Sequence, residues 1–203
     1  MPPKTTFTKD DVLNAAFALV EKNGLKELTA RNVAAKLGSS TAPVYSYYKS
    51  IDKLEKEVVQ KTVDLVLEYA RKQYTNINFL NVGVGIASFA KEHRMLYHSL
   101  FMEKNNYTQV LKDLDNEIIK DISNEPYLSE LSHFEKISVL MKMGIFSHGL
   151  GSLICVEHLT EFSEEDIVKM LYDVGFAVIA DALHPHKQAT MKSDGKGGYL
   201  FEC

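Results

Sequence analysis

Apolar residues recur at helical spacing along almost the whole chain. The first such segment begins at Thr8, which has an acidic residue three positions further on, as in a capping box. It ends at Asn23-Gly24, because glycine readily takes the left-handed conformation that follows a helix. The same pattern predicts further helices over residues 30–37, 41–47, 52–73, 78–92, 94–103, 107–123, 132–158 and 163–184. The sequence therefore predicts an all-α protein.

Two of the predicted helices are short and meet through a glycine turn, Leu37-Gly38-Ser39-Ser40. Gly38 permits a sharp reversal, and two short helices joined in this way form a helix-turn-helix. The second helix would then present its first residues to the major groove of DNA. Because many all-helical proteins also contain glycine turns, the spacing alone leaves a purely structural turn open.

Several short blocks of sequence surround this turn in a fixed register. They are Val12-Leu-Asn-Ala-Ala16, Gly24-Leu25 followed by Leu28-Thr29, Val33-Ala-Ala-Lys-Leu-Gly38, Val44-Tyr-Ser-Tyr-Tyr48 and Asp52-Lys-Leu54. Residues 8–60 thereby resemble the N-terminal domain of the TetR family of transcriptional regulators. The resemblance implies a three-helix DNA-binding domain over residues 1–51 and a helical domain for dimerisation and ligand binding over residues 52–186. Residues 187–203 are expected to form a flexible tail.

The resemblance also implies partners and roles for individual residues. The protein would be a homodimeric repressor, bound to double-stranded operator DNA and released by an unidentified small-molecule effector. Val44 and Tyr48 lie four residues apart and are predicted to face inward. Tyr45 and Tyr47 match positions that contact phosphates in the family, and Lys49 or Lys53 would replace the lysine usual at Ile51. The predicted DNA-binding residues are Thr29, Arg31, Ser40, Thr41, Ala42, Pro43, Tyr45, Ser46, Tyr47, Lys49 and Lys53.

The charge distribution fits a small region that contacts phosphate. The net charge of the whole chain is −4. Residues 1–60 nevertheless carry nine basic against seven acidic side chains, whereas the rest carries fourteen against twenty. Two cysteines do not make a disulfide framework, and the N-terminus lacks an apolar signal region, so we expect a cytoplasmic protein.

The helices predicted over residues 132–158 and 163–184 are apolar on more than one face. The stretch from Ile137 to Val156 is long enough to cross a membrane, but Lys142 and His148 lie near its middle, which favours a buried helix without membrane contact. Glycines and alanines in both helices permit close approach. The pair is therefore predicted to form a two-fold dimer interface, with a purely intramolecular bundle as the alternative.

Aromatic, methionine and histidine side chains among the aliphatic residues of the body are candidates for an effector site. They are Phe89, His93, Tyr97, Phe101, Met102, Tyr107, Met141 and His148. Such a stripe is more often part of a solid core than of a cavity, and the sequence leaves both interpretations open.

Motifs of enzymes are missing from the sequence. There is no phosphate loop, nucleophile elbow, paired carboxylate or strong metal-ligand spacing. We therefore predict no enzymatic activity, no cofactor and no metal. The alternative to a DNA-binding regulator is a helical module that binds a ligand or a protein without DNA.

Overall fold

The computed structural model describes residues 7–123, 125–184, 190–193 and 199–202. Within these residues the chain forms nine α-helices: α1 (Lys9–Asn23), α2 (Ala30–Leu37), α3 (Ala42–Tyr48), α4 (Ile51–Arg71), α5 (Asn78–Glu92), α6 (Arg94–Tyr97), α7 (Thr108–Ile122), α8 (His133–Cys155) and α9 (Glu164–Leu183). Short 3-10 turns occupy Leu25–Glu27 and Pro126–Leu128. The all-α prediction is confirmed for the described residues from Phe7 to His184.

Three of the longer helices begin at a reciprocal capping box, which satisfies free backbone N–H groups of their first turns. The predicted box at Thr8 with Asp11 is present, and a second box joins Ser163 and Asp166. A third box joins Ser132 and Glu135 at the start of α8. Its S-x-x-E signal is plain in the sequence and could have been predicted.

Helices α1 to α3 form a small head with its own apolar centre. Val12 and Val20 of α1, Val33 of α2 and Val44 of α3 are almost completely buried there. Leu54 of α4 is also completely buried and belongs to the same apolar cluster. Because α4 then continues into the body, one helix belongs to both halves of the molecule.

Helix α5 is the centre of the body and packs against α4, α8 and α9. Almost every residue of α5 from Phe79 to Ala90 is buried. A Cβ atom at Gly85 would overlap the backbone of Tyr69 in α4, so this glycine permits the close approach of the two helices. The body core therefore depends on backbone contact as well as on side-chain packing.

The helix predicted over residues 94–103 is interrupted after one turn. α6 ends at Tyr97 and passes into a π-helical turn, His98–Met102. In that turn the N–H of Glu103 donates to the carbonyl of His98, five residues back, at 3.1 Å. π turns of this kind contain one extra residue and often occur at functional sites.

The C-terminal segment contains two short strands, β1 (Thr190–Ser193) and β2 (Tyr199–Glu202), which pair antiparallel. Both fall in the segment expected to be a flexible tail, and the hairpin is an addition to the all-α prediction. The rest of that tail, like the N-terminal residues 1–6, lies outside the described residues.

Helix α8 is the one helix in the described ranges that is long and apolar enough to cross a membrane. One third of its most apolar window is buried within the chain. It packs against α5 and α9 on one side, while Met141 and Ile145 on the other side are 62% and 70% exposed. The sequence predicts a buried helix here, and the structure buries only the face of α8 that packs against α5 and α9.

Candidate DNA-binding surface and effector cavity

Helix α3 has one buried and one open face. Val44 and Tyr48 are 0% and 2% exposed and fix the helix on the head, as predicted. Tyr45 and Tyr47 are 52% and 42% exposed, and Ser46 between them is exposed as well. Large exposed aromatic side chains with hydroxyl groups are suited to hydrogen bonding with a phosphate backbone.

The turn before α3 has the geometry that the sequence predicts. Gly38 is left-handed, with φ of 64° and ψ of 33°, and ends α2. Thr41 precedes α3 but its side chain makes no capping hydrogen bond. The hydroxyl of Ser40 instead accepts a hydrogen bond from the N–H of Ala42, at 3.4 Å. The hydroxyl of Thr41 is therefore not committed to capping the helix that follows it.

Three polar side chains, Tyr48, Glu57 and Lys9, hold the buried side of α3 on α4. The hydroxyl of Tyr48 donates to one carboxylate oxygen of Glu57 at 3.0 Å, and Lys9 donates to the other at 2.6 Å. The hydrogen bond from Lys9 keeps the pKa of Glu57 below its usual value. Burial, and then the bond to Glu57, raise the pKa of Tyr48. Tyr48 is thus neutral and structural, in contrast to its two exposed neighbours.

The other predicted DNA-binding residues lie around this open face. The hydroxyl of Thr29 accepts from the N–H of Asn32 at 3.1 Å and caps α2, whereas Arg31 in the first turn is exposed. Lys49 follows α3 in a left-handed conformation, and Lys53 is exposed in the first turn of α4. Their roles toward DNA stay predictions.

The hydroxyl of Tyr47 has a partner within the chain. It donates to the backbone carbonyl of Phe7 at 2.8 Å, which holds the segment before α1 against α3. A contact between this hydroxyl and a phosphate would require the bond to Phe7 to be shared or exchanged.

A cavity of about 450 Å³ lies in the body between α5, α7 and α8. Its walls are mainly aliphatic and aromatic, with contributions from Phe79, Leu80, Val82, Ile86, Phe101, Leu111, Ile118, Ile122, Leu140, Met143 and Leu171. The exposed members Ile119, Ile137 and Met141 belong to α7 and α8, so the cavity opens between these two helices. Its size is in the range of sites for drug-sized molecules.

Of the eight residues predicted to contact an effector, Phe101, Met141 and His148 line this cavity. Phe89 and Tyr97 are completely buried and belong to the core. His93 and Tyr107 are held in contacts between helices, to Glu21 and Glu55 respectively, and Met102 is at the surface. Periodicity could not separate these roles, because core and cavity walls use the same apolar faces.

Sequence reasoning missed the one carboxylate of the cavity wall, Asp115. It lies on the stripe of α7 that Leu111, Ile118 and Ile122 continue, at spacings of four and three residues. Burial against these neighbours raises the pKa of Asp115 above its usual value. A polar position on an apolar stripe was the signal in the sequence that could have revealed it.

His148 closes the inner end of the cavity. Its ring lies 4.7 Å from that of Phe101, and its Nδ1 atom is 3.2 Å from the hydroxyl of Tyr97. Burial lowers the pKa of His148, so the imidazole is neutral at neutral pH. Among the described residues, no group of three His, Cys, Asp or Glu side chains could hold a metal ion.

Comparison with known proteins places this architecture. A TetR-like transcriptional regulator from Rhodococcus sp. RHA1 superposes with a TM-score of 0.61 over 85% of this chain and 95% of its own, at 16% identity. A transcriptional regulator from the same organism gives 0.60 over 86% and 97%, at 15% identity. A TetR-family regulator from Streptomyces coelicolor gives 0.52 over 85% and 94%, at 12% identity. The chain has the TetR-like regulator fold.

The sequence comparisons cover a smaller part of the chain than the structural ones. No family model matches the chain. The HTH-type transcriptional repressor DrrR1 of Streptomyces coeruleorubidus is 30% identical over 114 residues, which is 54% of this chain. The chain spans only 39% of the length of that curated relative. The sequence resemblance noted for residues 8–60 is thus accompanied by agreement of the whole fold.

In this TetR-like fold the cavity and the head are joined through α6 and the π turn. Phe101 of the π turn lines the cavity, whereas Ser99 of the same turn accepts a hydrogen bond from the N–H of Leu25 in the head, at 3.2 Å. Glu103, just after the turn, forms an ion pair with Lys26 at 2.9 Å. A single short segment therefore contacts both the cavity and the head.

Proposed function

We propose that this protein is a DNA-binding transcriptional regulator that acts as a homodimeric repressor in the cytoplasm and is released from its operator by a small molecule. The observation that carries the proposal is the division of α3 into a buried face, Val44 and Tyr48, and an open face that bears Tyr45 and Ser46. A short helix held in this way after a glycine turn is the recognition element of a helix-turn-helix.

Sequence would be recognised at the first turns of α3. Thr41, Ala42 and Ser46 offer hydroxyl and methyl groups, which can contact base edges and thymine methyls in the major groove. Tyr45 and Tyr47 would bind phosphates and set the register. Arg31 is the one predicted contact residue with the geometry for two hydrogen bonds to guanine, so DNA shape would contribute to selectivity.

The apolar outer faces of α8 and α9 support the homodimer. Phe134 and Ile145 of α8 are 81% and 70% exposed, and Phe176 of α9 is 66% exposed. The rings of Tyr172 and Phe176 stack beside each other, with centroids 6.3 Å apart. Exposed apolar surface of this extent is typical of an interface, and the same patch on two chains gives an isologous contact.

The effector would act by changing the separation of the two heads. Recognition helices must lie about 34 Å apart to enter successive major grooves of one DNA face. α4 runs from the head into the body, and the π turn contacts both the head and the cavity. A molecule that favours a body conformation with displaced heads shifts the population away from DNA.

Selection of binding sequences from a randomised duplex library tests the proposal directly. We expect enrichment of a two-fold symmetric sequence and an affinity that falls steeply with salt, because phosphate contacts release counterions. Ala42→Glu, which places a carboxylate on the open face of α3, should abolish binding. Gln109→Glu on the exposed surface of α7 is the matched control and should bind like the original protein.

The alternative function is a helical module that binds a ligand or protein without DNA. Failure to enrich any sequence, together with equal behaviour of Ala42→Glu and Gln109→Glu, would support this alternative. Ligand binding in the cavity would then be the remaining activity of the fold.

A further inference from the structure

The wall of the cavity carries a negative charge but no lysine or arginine to balance it. Among its lining residues, Asp115 is the one acidic side chain, and neither lysine nor arginine contributes. Asp115 takes no part in the salt bridges or side-chain hydrogen bonds found between the residues that the structure describes. The cavity therefore contains one negative charge for which the surrounding residues supply no counterion.

Asp115 places a negative charge beside an otherwise apolar wall. The neighbours of Asp115 along α7 on the cavity wall are Leu111, Ile118 and Ile122, and an aliphatic residue at position 115 would complete the stripe. Asp115 is itself exposed, so it lies at the mouth of the cavity, where contact with these apolar neighbours removes part of the hydration of its ionised carboxylate. A bound cation would compensate this loss.

The remaining polar groups do not oppose a cation. Burial lowers the pKa of His148, so its imidazole is neutral at neutral pH, and its ring is tilted by 50° to that of Phe101 with the centroids 4.7 Å apart. Ser147 adds one small hydroxyl. Such a site suits a molecule with a large apolar part and a single positively charged group, and it disfavours a carboxylate or phosphate of the same size.

We propose that the cavity binds an amphipathic organic cation, with its ammonium group at Asp115 and its apolar part among the side chains of α5 and α8. This inference rests on the proposed function for its regulatory meaning, because the cation would be the effector that releases DNA. The binding itself needs only the cavity and can be measured without DNA.

Three ligands with alkyl chains of equal length differ in the charge of their polar group: octylammonium is positive, octanol is neutral and octanoate is negative. Their affinities therefore measure the effect of ligand charge on binding. Each is titrated into the full chain by calorimetry. We expect octylammonium to bind about tenfold or more tightly than octanol, because interactions with charged groups exceed those between neutral ones. Octanoate should bind more weakly than octanol.

Two variants of α7 provide the matched comparison. Asp115→Asn should remove the preference for octylammonium and leave the affinity for octanol unchanged. Asp113→Asn removes a carboxylate of the same helix that accepts a hydrogen bond from Gln109 at 2.9 Å and does not line the cavity, so it should keep the preference. Far-ultraviolet circular dichroism confirms that both variants are folded.

Equal affinities for the three ligands, a preference for octanoate, or an unchanged preference in Asp115→Asn would each overturn the proposal. These results are independent of DNA binding. If a selected operator is bound but the cavity shows no preference for a cation, the ligand class is wrong and the proposed function stands. If the preference depends on Asp115 but no operator exists, the ligand class stands and the proposed function is wrong.

Discussion

The hydroxyl of Ser99 in the body accepts a hydrogen bond from the backbone N–H of Leu25 in the head, at 3.2 Å. Ser99 is 3% exposed, and the bond joins the connection between α1 and α2 to the π turn beside the cavity. Gly24 makes room for this contact, since a Cβ atom there would lie 3.0 Å from Cε of Met95. The head is thus held on the body by a buried bond as well as by the continuous helix α4.

Ser99→Ala removes this acceptor and leaves the N–H of Leu25 without a partner. The free energy of unfolding should fall by about 1–3 kcal/mol, the cost of a buried unsatisfied donor. Lys26→Met is the comparison, because it breaks the ion pair with Glu103 at a site where Lys26 is 78% exposed. Its effect in urea unfolding should stay within about 1 kcal/mol. Equal losses in both variants would contradict a special role for the bond of Ser99.

Tyr45→Phe and Ser46→Ala should separate phosphate contact from base contact. Loss of the hydroxyl of Tyr45 should weaken binding to all DNA sequences by about 0.5–1.5 kcal/mol, because phosphate contacts carry no sequence information. Ser46→Ala should instead change the ranking of operator variants. Gln109→Glu on the exposed surface of α7 is the control. A uniform loss from Ser46→Ala, or a change in ranking from Tyr45→Phe, would reverse the two assignments.

Ile145→Glu should convert the dimer into monomers. The side chain of Ile145 is 70% exposed at the centre of α8, and a carboxylate on a two-fold interface would face its own copy without a counterion. Light scattering gives the mass, and binding to a two-fold operator should be lost together with the dimer. Gln109→Glu again serves as the control. A monomeric original protein would remove the proposed interface.

The preference for a cation should decline as the pH falls. The pKa of Asp115 is raised by loss of hydration beside its apolar neighbours, so on acidification this carboxylate takes up a proton at a higher pH than an ordinary aspartate. The pKa of His148 is lowered by burial, so the imidazole gains its positive charge at a lower pH than an ordinary histidine. Both changes make the cavity less negative, whereas octylammonium stays charged.

Calorimetry from about pH 7 down to about pH 4, the ordinary pKa of aspartate, should therefore show a falling affinity for octylammonium and a constant affinity for octanol. In Asp115→Asn, only the part of the decline that His148 causes should remain. A rise in octylammonium affinity on acidification would contradict this account.

Helix positions could be predicted from the sequence because their ends carry local signals. Thr8, Gly38 and Ser163 fix helix boundaries through their own side chains or backbone conformations, independently of tertiary contacts. The inward direction of Val44 and Tyr48 followed from spacing for the same reason. The interruption after Tyr97 could not be predicted, since the π turn depends on packing between the head and the body.

The sequence leaves a cavity and a solid core as alternatives, and it does not separate the residues of one from those of the other. Phe89 and Phe101 are both aromatic residues on apolar faces, yet one is sealed in the core and the other borders empty space. Which of them meets a void depends on how closely neighbouring helices approach, and that is set by contacts such as the one at Gly85. Asp115 differs from these aromatic residues, because a carboxylate within an aliphatic stripe of α7 can be recognised in the sequence.

The extra residue of the π turn His98–Met102 fixes the number of residues that the chain must have in this segment. An α-helix advances by about 100° per residue, so removing one residue would restore regular winding and rotate everything on one side of the deletion by that angle. Ser99 and Phe101 could then no longer meet Leu25 and the cavity at once. Both contacts therefore depend on the number of residues in this turn. A substitution leaves that number unchanged and would not have the effect of a deletion.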